Sequence, residues 1–262
     1  MNFCKTIITP GQSIAEDREP LICVPLVGRD QTTVLGELTT LVAKQPDLIE
    51  WRIDYFSEIA DTAKVVALAQ QIRYRTAGIP IVFTRRSIRE GGEPIALSED
   101  QVLFLHEAVL ASRTVDFVDY ELSSDPVHFQ RVLTAAHAVD VQLIASFHDF
   151  QRTPSVEDIV AKFTAAERAG ADIAKVAVMP TTLDDVLTLL SATLEGHRRS
   201  CLPIISISMG AYGALSRLLG WMFGSSVTFA VGDQSSAPGQ LPIADLREVL
   251  AIVKRALANR PA

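Results

Sequence analysis

The sequence has few cysteines and no surplus of positive charge. Its 262 residues include three cysteines, Cys4, Cys23 and Cys201, which form no CxxC pair and no metal-like cluster. We therefore expect free thiols in a reducing compartment. A net charge of −7 leaves no basic surface for nucleic acid and no polybasic membrane patch. An anionic substrate would need positive charge gathered at one place.

Long hydrophobic runs are also missing. The first residues, "MNFCKTIITPGQ", lack the apolar core of a signal peptide. Residues 202–232 are poor in charge, but Arg217 and several glycines and serines interrupt them. Two buried strands around a helix fit that stretch better than a membrane span. We expect a cytoplasmic protein that binds neither membranes nor nucleic acid.

No glycine-rich dinucleotide fingerprint is present, since "PLVGRDQ" after the first apolar run is not GxGxxG. What the sequence has instead is eight short apolar runs separated by segments with helical periodicity, which predicts parallel pairing. The runs begin at Leu21, Leu48, Ile79, Val115, Gln142, Ala171, Leu202 and Ser226. Such an alternation predicts an α/β fold, a (β/α)8 (TIM) barrel, and the alternative is an open doubly wound sheet.

Several helical segments have recognisable ends. Asp30, Ser98 and Ser155 each precede such a segment and predict N-caps, and Gly170 predicts the end of another. These signals fix where the chain turns between strand and helix.

The chain shows no linker, repeat or low-complexity tract, so we expect one barrel domain over residues 1–262. Residues 1–20 precede the first strand and are expected to form a short hairpin that closes the barrel floor. The Gly/Ser/Pro-rich stretch 232–242 follows the last strand and is suited to a lid.

Charged side chains occur within or directly after the apolar runs, where a parallel barrel places its active site. They share strand faces because side chains alternate along a strand. The set comprises Glu50, Arg52, Asp54, Arg85, Arg86, Glu90, Asp119, Glu121, His148, Asp149, Lys175 and Arg217. Desolvating so many charges in one place is costly, so we interpret them as a functional site rather than a structural ion-pair network.

Lys175 lies inside the apolar run "ADIAKVAVMP". It could extend its ammonium to water on the helix side, or pair with Glu50 as a structural bridge. The chemical interpretation is that burial and cations such as Arg52 and Arg86 lower the pKa of Lys175. The neutral amine would then form a Schiff base with a ketone.

His148 and Arg217 each have two interpretations. His148 is either a hydrogen-bonded core residue or, one strand from a Schiff-base lysine, a general base. Arg217 either pairs with Asp233 or forms a fork for a substrate carboxylate. The remaining histidines fall in helical patterns, and we predict no metal site.

Seven segments carry these residues: "EWRIDYF", "FTRRSIREGGE", "FVDYEL", "ASFHDF", "AKVAVMP", "ISISMGAYGALSR" and "SSAPGQLP". Their order and spacing resemble the type I 3-dehydroquinate dehydratase family over nearly the whole chain. The resemblance implies a (β/α)8 barrel, usually a homodimer, with no metal or organic cofactor. It implies syn dehydration of 3-dehydroquinate to 3-dehydroshikimate through a lysine Schiff base, in aromatic biosynthesis or quinate breakdown.

The resemblance also implies a role for each matching residue. Lys175 would be the Schiff-base lysine and His148 the general acid and base, with Glu90 holding the histidine. Arg217 would bind the substrate carboxylate. The residues expected to line the pocket, bind hydroxyls or close over the substrate are Glu50, Arg52, Arg86, Met209, Ser236 and Gln240.

Two other functions stay open at this stage. One is a different class I Schiff-base barrel enzyme, such as an aldolase acting on a phosphorylated ketose. The other is a barrel that has become a non-catalytic ligand sensor. Arg85 and Pro25 stand where many relatives differ, which bears on substrate affinity rather than on the reaction.

Overall fold

The structure, a computed structural model, describes residues 5–9, 12–14, 19–232 and 236–258. The strands among these residues are β1 Ile7–Thr9, β2 Gln12–Ile14, β3 Leu21–Leu26, β4 Leu48–Arg52, β5 Ile81–Thr84, β6 Phe117–Glu121, β7 Gln142–Asp149, β8 Ile173–Val178, β9 Ile204–Ser208, β10 Val227–Val231 and β11 Leu241–Pro242. The α-helices are α1 Gln31–Ala43, α2 Thr62–Arg75, α3 Glu99–Ala111, α4 Pro126–His137, α5 Val156–Arg168, α6 Leu183–Arg199, α7 Ala214–Leu219 and α8 Ile243–Ala258.

Strands β3 to β10 form the predicted barrel. They pair in parallel in the order β10-β3-β4-β5-β6-β7-β8-β9, and the short β11 pairs in parallel with the end of β10. A parallel bridge between Ile204 and Ser225 joins β9 to the start of β10, where Ser226 N donates to Ile204 O at 2.7 Å. The sheet thus closes on itself, which confirms the barrel and excludes the open sheet.

The helix ends follow from local chemistry. Asp30, Ser98 and Ser155 accept backbone N–H groups of the first turns of α1, α3 and α5, so the predicted N-caps are confirmed. Gly170 has a φ of 89° directly after α5, the left-handed conformation that glycine tolerates best.

Barrel strands alternate between two apolar environments. Outward side chains such as Trp51, Val118 and Val176 pack under the helices. Inward side chains near the strand starts, including Phe117 and Ile173, form a separate apolar layer inside the barrel. Two residues further along β4 to β8, the next inward positions are polar, which places the site directly above an apolar floor. These positions are Glu50, Thr84, Asp119, Ser146 and Lys175.

A hairpin closes that floor as predicted. Strand β1 pairs antiparallel with β2, and Ile7 inserts into the inner apolar layer with 1% exposure. Lys5 Nζ donates to Asp172 Oδ1 at 2.9 Å and to Ala171 O at 2.8 Å, which ties the N-terminal segment to the start of β8.

Residues 202–232 fold as β9, α7 and β10, so the prediction of two buried strands around a helix is confirmed. No helix in the described part of the chain is long and apolar enough to cross a membrane. Cys23 and Cys201 are free thiols, whereas Cys4 lies outside the described residues.

Candidate active site

A cavity of about 460 Å³ opens at the carboxyl ends of the barrel strands. The lining includes all ten residues to which the resemblance gave a role: Glu50, Arg52, Arg86, Glu90, His148, Lys175, Met209, Arg217, Ser236 and Gln240. The barrel therefore brings all ten together.

Lys175 points into the barrel and is 4% exposed. Its Nζ donates to Asp119 Oδ2 at 2.9 Å and to Glu50 Oε1 at 3.2 Å, and lies 4.7 Å from the ring centroid of Phe229. The side chain therefore does not reach water on the helix side. Its pairing with Glu50 occurs, but in the cavity rather than away from it.

These carboxylates overturn one prediction about Lys175. Burial and the Arg86 cation lower its pKa, but Asp119 and Glu50 raise it, and the net direction is upward. The expectation that neighbouring cations leave the amine neutral was wrong because the two acids, which lie 2.9 Å and 3.2 Å from Nζ, outweigh burial and the Arg86 cation. The resting side chain is an ammonium held by two carboxylates.

His148 is held by Glu90. Its Nδ1 lies 2.9 Å from Glu90 Oε2, and its backbone N donates to the same oxygen at 3.0 Å. We assign the ring proton to Nδ1, because that nitrogen faces a carboxylate. The Nε2 lone pair is then available to act as a base.

The pKa values of the pair move in opposite directions. Burial, followed by the nearby Arg86 and Lys175 cations, lowers the pKa of His148 well below its ordinary value. Burial and the Glu121 carboxylate raise the pKa of Glu90 to about 7. His148 is thus a neutral imidazole at neutral pH, which is the state a general base requires.

Arg86 joins the lysine and histidine halves of the site. Its guanidinium donates to Asp119 Oδ1 at 2.8 Å, to Ser146 Oγ at 2.8 Å and to Glu121 Oε1 at 3.2 Å. The Glu90 carboxylate lies 3.6 Å from the same group. With so many acceptors already in place, Arg86 mainly fixes the carboxylates.

Arg52 is fixed in a similar way by one carboxylate. Asp54 accepts from its Nε at 2.8 Å and from its Nη2 at 2.7 Å, a two-point pair in which both side chains are buried. Asp54 also accepts the backbone N–H groups of Arg86 and Glu93, so it ties β4 to the loop after β5.

Arg217 differs from the other cations of the cavity. It is 2% exposed, and its guanidinium donates only to the carbonyl oxygens of Phe229, at 3.4 Å, and Pro238, at 3.1 Å, within the described residues. Burial lowers its pKa to about 10. Asp233, its predicted partner in one interpretation, lies outside the described residues. Buried positive charge without a described carboxylate favours an anion from outside.

Part of the expected lid, residues 236–242, contributes Ser236, Ala237 and Gln240 to the lining of the cavity. Gly210 N donates to Pro238 O at 3.1 Å, and Ser236 N donates to Gln240 Oε1 at 3.1 Å. Met209 is 1% exposed beneath them, in the cavity wall. Residues 233–235 of the expected lid lie outside the described residues.

The sequence interpretation gave no specific role to Asp119 or Ser146. Ser146 stands opposite Lys175 in the register of β7 and β8, and its Oγ donates to Asp119 Oδ1 at 2.6 Å. The sequence indicated Asp119 as a site residue only because it shares one strand face with Glu121. Ser146 gave no signal, because a serine in an apolar strand is common.

Arg85 and Pro25 do not line the cavity. Arg85 points away from Arg86, as strand alternation requires, and pairs with Glu99 at 2.7 Å. Pro25 stands opposite Glu50 in the register of β3 and β4. No group of three His, Cys, Asp or Glu side chains in the described ranges is arranged to hold a metal ion.

Fold and site together define the class of protein. A closed (β/α)8 barrel carries a buried lysine and a carboxylate-held histidine at the end where barrel enzymes react. The chain is an enzyme of this barrel class, with a buried polar cavity above an apolar floor.

Comparison with known proteins identifies the family. The type I 3-dehydroquinase model matches residues 22–256. The 3-dehydroquinate dehydratase of Aromatoleum aromaticum is 61% identical over 98% of this chain and 99% of the relative. That of Albidiferax ferrireducens is 49% identical over 99% and 98%. The chain therefore belongs to the type I 3-dehydroquinase family, and the resemblance seen in the sequence is confirmed.

Solved structures agree with this assignment. The crystal structure of 3-dehydroquinate dehydratase from Geobacillus kaustophilus is 48% identical, with a TM-score of 0.93 over 97% of this chain and 99% of that one. Type I 3-dehydroquinate dehydratase from Clostridium difficile, crystallised with covalent modified comenic acid, is 36% identical, with a TM-score of 0.92 over 97% and 99%.

Proposed function

We propose that the chain dehydrates 3-dehydroquinate to 3-dehydroshikimate through a Schiff base on Lys175. The observation that carries the proposal is the placement of Lys175 and His148 on adjacent paired strands, facing one cavity. The activity named for the relatives supports it, since they match this chain over nearly its full length. The covalent ligand of the Clostridium difficile relative is consistent with a reactive side chain at such a site.

The first step is imine formation. Lys175 gives one proton to a carboxylate that holds it, and its free Nζ attacks the ketone carbon. The carbinolamine hydroxyl takes that proton back and leaves as water, which gives a protonated imine. Asp119 and Glu50, which hold the resting ammonium, then face the positive charge of the imine at the same place. The site thus keeps its charge balance through the step.

The second step is syn elimination. His148 Nε2 takes the proton from the carbon next to the imine, and the electron pair moves to the imine nitrogen to give an enamine. The enamine expels the β-hydroxyl, which leaves as water with the proton that His148 returns. Water then hydrolyses the product imine and frees Lys175. One residue acts as base and acid because both transfers occur on one face of the ring.

Substrate orientation follows from the charges of the cavity. Lys175, Arg52 and Arg86 are already paired with carboxylates, whereas Arg217 is held by backbone carbonyls. We assign the substrate carboxylate to Arg217 and the closing contacts to Ser236 and Gln240 of the lid.

Borohydride trapping tests the covalent step. Purified protein is mixed with 3-dehydroquinate, reduced, digested and read by mass spectrometry, with the Lys175→Ala variant as control. We expect a reduced adduct on the peptide that contains Lys175, and neither adduct nor turnover in the variant. Near-normal turnover in Lys175→Ala would refute the mechanism.

The same assay separates the two other functions. Faster cleavage of a phosphorylated ketose than dehydration of 3-dehydroquinate would favour an aldolase-like enzyme. Tight binding of 3-dehydroquinate without turnover or adduct would favour a ligand sensor. We also propose that the protein is a homodimer in the cytoplasm. Sedimentation of the pure protein tests whether it is a dimer.

A further inference from the structure

Glu90 reaches His148 through one of its two carboxylate oxygens. Oε2 accepts the backbone N–H and Nδ1 of His148. The other oxygen, Oε1, accepts the hydroxyl of Ser123 at 2.6 Å. Among the described residues this hydroxyl is the only hydrogen-bond donor on Oε1. The orientation of a carboxylate that is 4% exposed is therefore set from both sides.

Ser123 is not packed into the barrel core. It follows β6 in the sequence "ELSSDP", is itself exposed, and lines no part of the cavity in the described structure. Its neighbour Ser124 has its hydroxyl near Tyr120 instead. The two adjacent serines thus differ in their contact with Glu90, which only the Ser123 hydroxyl makes, and neither side chain is needed to fill the core.

We propose that Ser123 is a positioning residue for the dehydration, holding the Glu90 carboxylate in the orientation that fixes His148. The inference rests on the proposed function. Without the hydroxyl, Oε1 would have no hydrogen-bond donor among the described residues, and the carboxylate would be held less firmly, through Oε2 alone. The imidazole of His148 would lose its fixed direction with it.

The charges around Glu90 give the direction of the expected pH effect. Arg86 and the Ser123 hydroxyl favour the ionised carboxylate, while burial, Glu121 and Asp119 oppose it. His148 contacts the same carboxylate. Removing the hydroxyl therefore raises the pKa of Glu90 above its present value of about 7. A protonated Glu90 can donate to Nδ1, which moves the ring proton to Nε2 and removes the base.

The test compares Ser123→Ala with Ser123→Thr, which keeps a hydroxyl, and with Ser124→Ala, the matched control. We expect the acidic limb of the kcat profile to move up by about half to one pH unit in Ser123→Ala, because a hydrogen bond to a charged group is lost. That corresponds to a roughly threefold to tenfold loss at the acidic end and little loss above pH ~8. KM and the thermal midpoint should stay near the wild-type values.

A readout that needs no turnover separates this inference from the proposed function. The His148 ring is titrated by NMR in the substrate-free protein, where Ser123→Ala should shift the same transition upward and the other two variants should not. A shift without any turnover in the wild type would sink the proposed function and keep the role of Ser123. Coincident profiles and titrations of Ser123→Ala and wild type overturn the inference.

Discussion

Replacing Asp119 by Asn should both destabilise the fold and make Lys175 easier to deprotonate. Asp119 accepts from Lys175 Nζ at 2.9 Å, from Arg86 Nη2 at 2.8 Å and from Ser146 Oγ at 2.6 Å, and it is 0% exposed. Asparagine has nearly the same shape, so the substitution removes the charge and keeps the volume.

The distance sets the size of the effect. Unit charges 2.9 Å apart attract by about 6 kcal/mol at an effective dielectric constant of ~20. Most of that attraction offsets the cost of burying the charges, and breaking a buried pair costs a net of about 3–5 kcal/mol. We expect the Asp119→Asn variant to lose about 3 kcal/mol of unfolding free energy at neutral pH, the lower end of that range.

Two assays follow the variant. Urea unfolding gives its free energy, and NMR of ¹³C-labelled lysine follows the titration of Lys175 in the substrate-free protein. The pKa of Lys175 should fall, because burial and Arg86 still lower it while one of the two carboxylates that raise it is gone. Asp54→Asn is the matched control: it removes an equally buried carboxylate from Arg52, so it should destabilise the fold and leave the Lys175 titration in place.

The pH dependence gives a further check on the sign. Arg86 and Lys175 hold the pKa of Asp119 well below its usual range. A depressed carboxyl contributes stability above the unfolded pKa of about 4 and loses it as the pH falls further. The stabilisation that the wild type has over Asp119→Asn should be lost as the pH falls below ~4. An unchanged Lys175 titration, or equal stability at neutral pH, would refute the reasoning.

Two further predictions concern the other ends of the site. His148→Ala should still give the borohydride adduct on Lys175 while turnover falls by about 10²- to 10⁴-fold, because imine formation needs the amine and elimination needs the base; free elimination without an adduct would contradict this. Arg217→Ala should raise KM for 3-dehydroquinate by at least about tenfold, because the substrate carboxylate loses its cation. Arg217→Lys should restore only part of this loss, because the lysine ammonium is a point charge and cannot bind a carboxylate at two points. Steady-state kinetics measure both, and an unchanged KM would move the carboxylate to another cation.

Most of the barrel could be predicted because the local signals agree with one another. Each apolar run became a strand, and the caps at Asp30, Ser98 and Ser155 became helix starts. The differences lie at strand ends. The third run begins at Ile79 but β5 begins at Ile81, since Pro80 between them has no N–H to donate to the neighbouring strand.

The residues that line the cavity could be predicted, but the charge state of Lys175 could not. The alternation of side chains along β8 predicts that Lys175 points to the inside of the barrel. Its pKa, however, depends on acids that other strands bring within about 3 Å of Nζ. The parallel register sets Ser146 beside Lys175 and places Asp119 and Glu50 within reach of Nζ, and no spacing in the sequence encodes that distance. The predicted sign of the pKa shift was therefore wrong, although Lys175 does line the cavity.

The same charges explain how an acidic protein can orient an acidic substrate. The chain carries a net charge of −7, and most cations in the barrel mouth are already neutralised by carboxylates within hydrogen-bond distance. Arg217 is buried beside carbonyl oxygens, which carry only partial charge, so its field stays open to an incoming anion. A carboxylate docked there places the rest of a small ring in the cavity that Lys175 and His148 share. In the proposed function, pairing three cations and leaving Arg217 with partial charges only would orient the substrate, because it offers the substrate carboxylate a single strong electrostatic anchor.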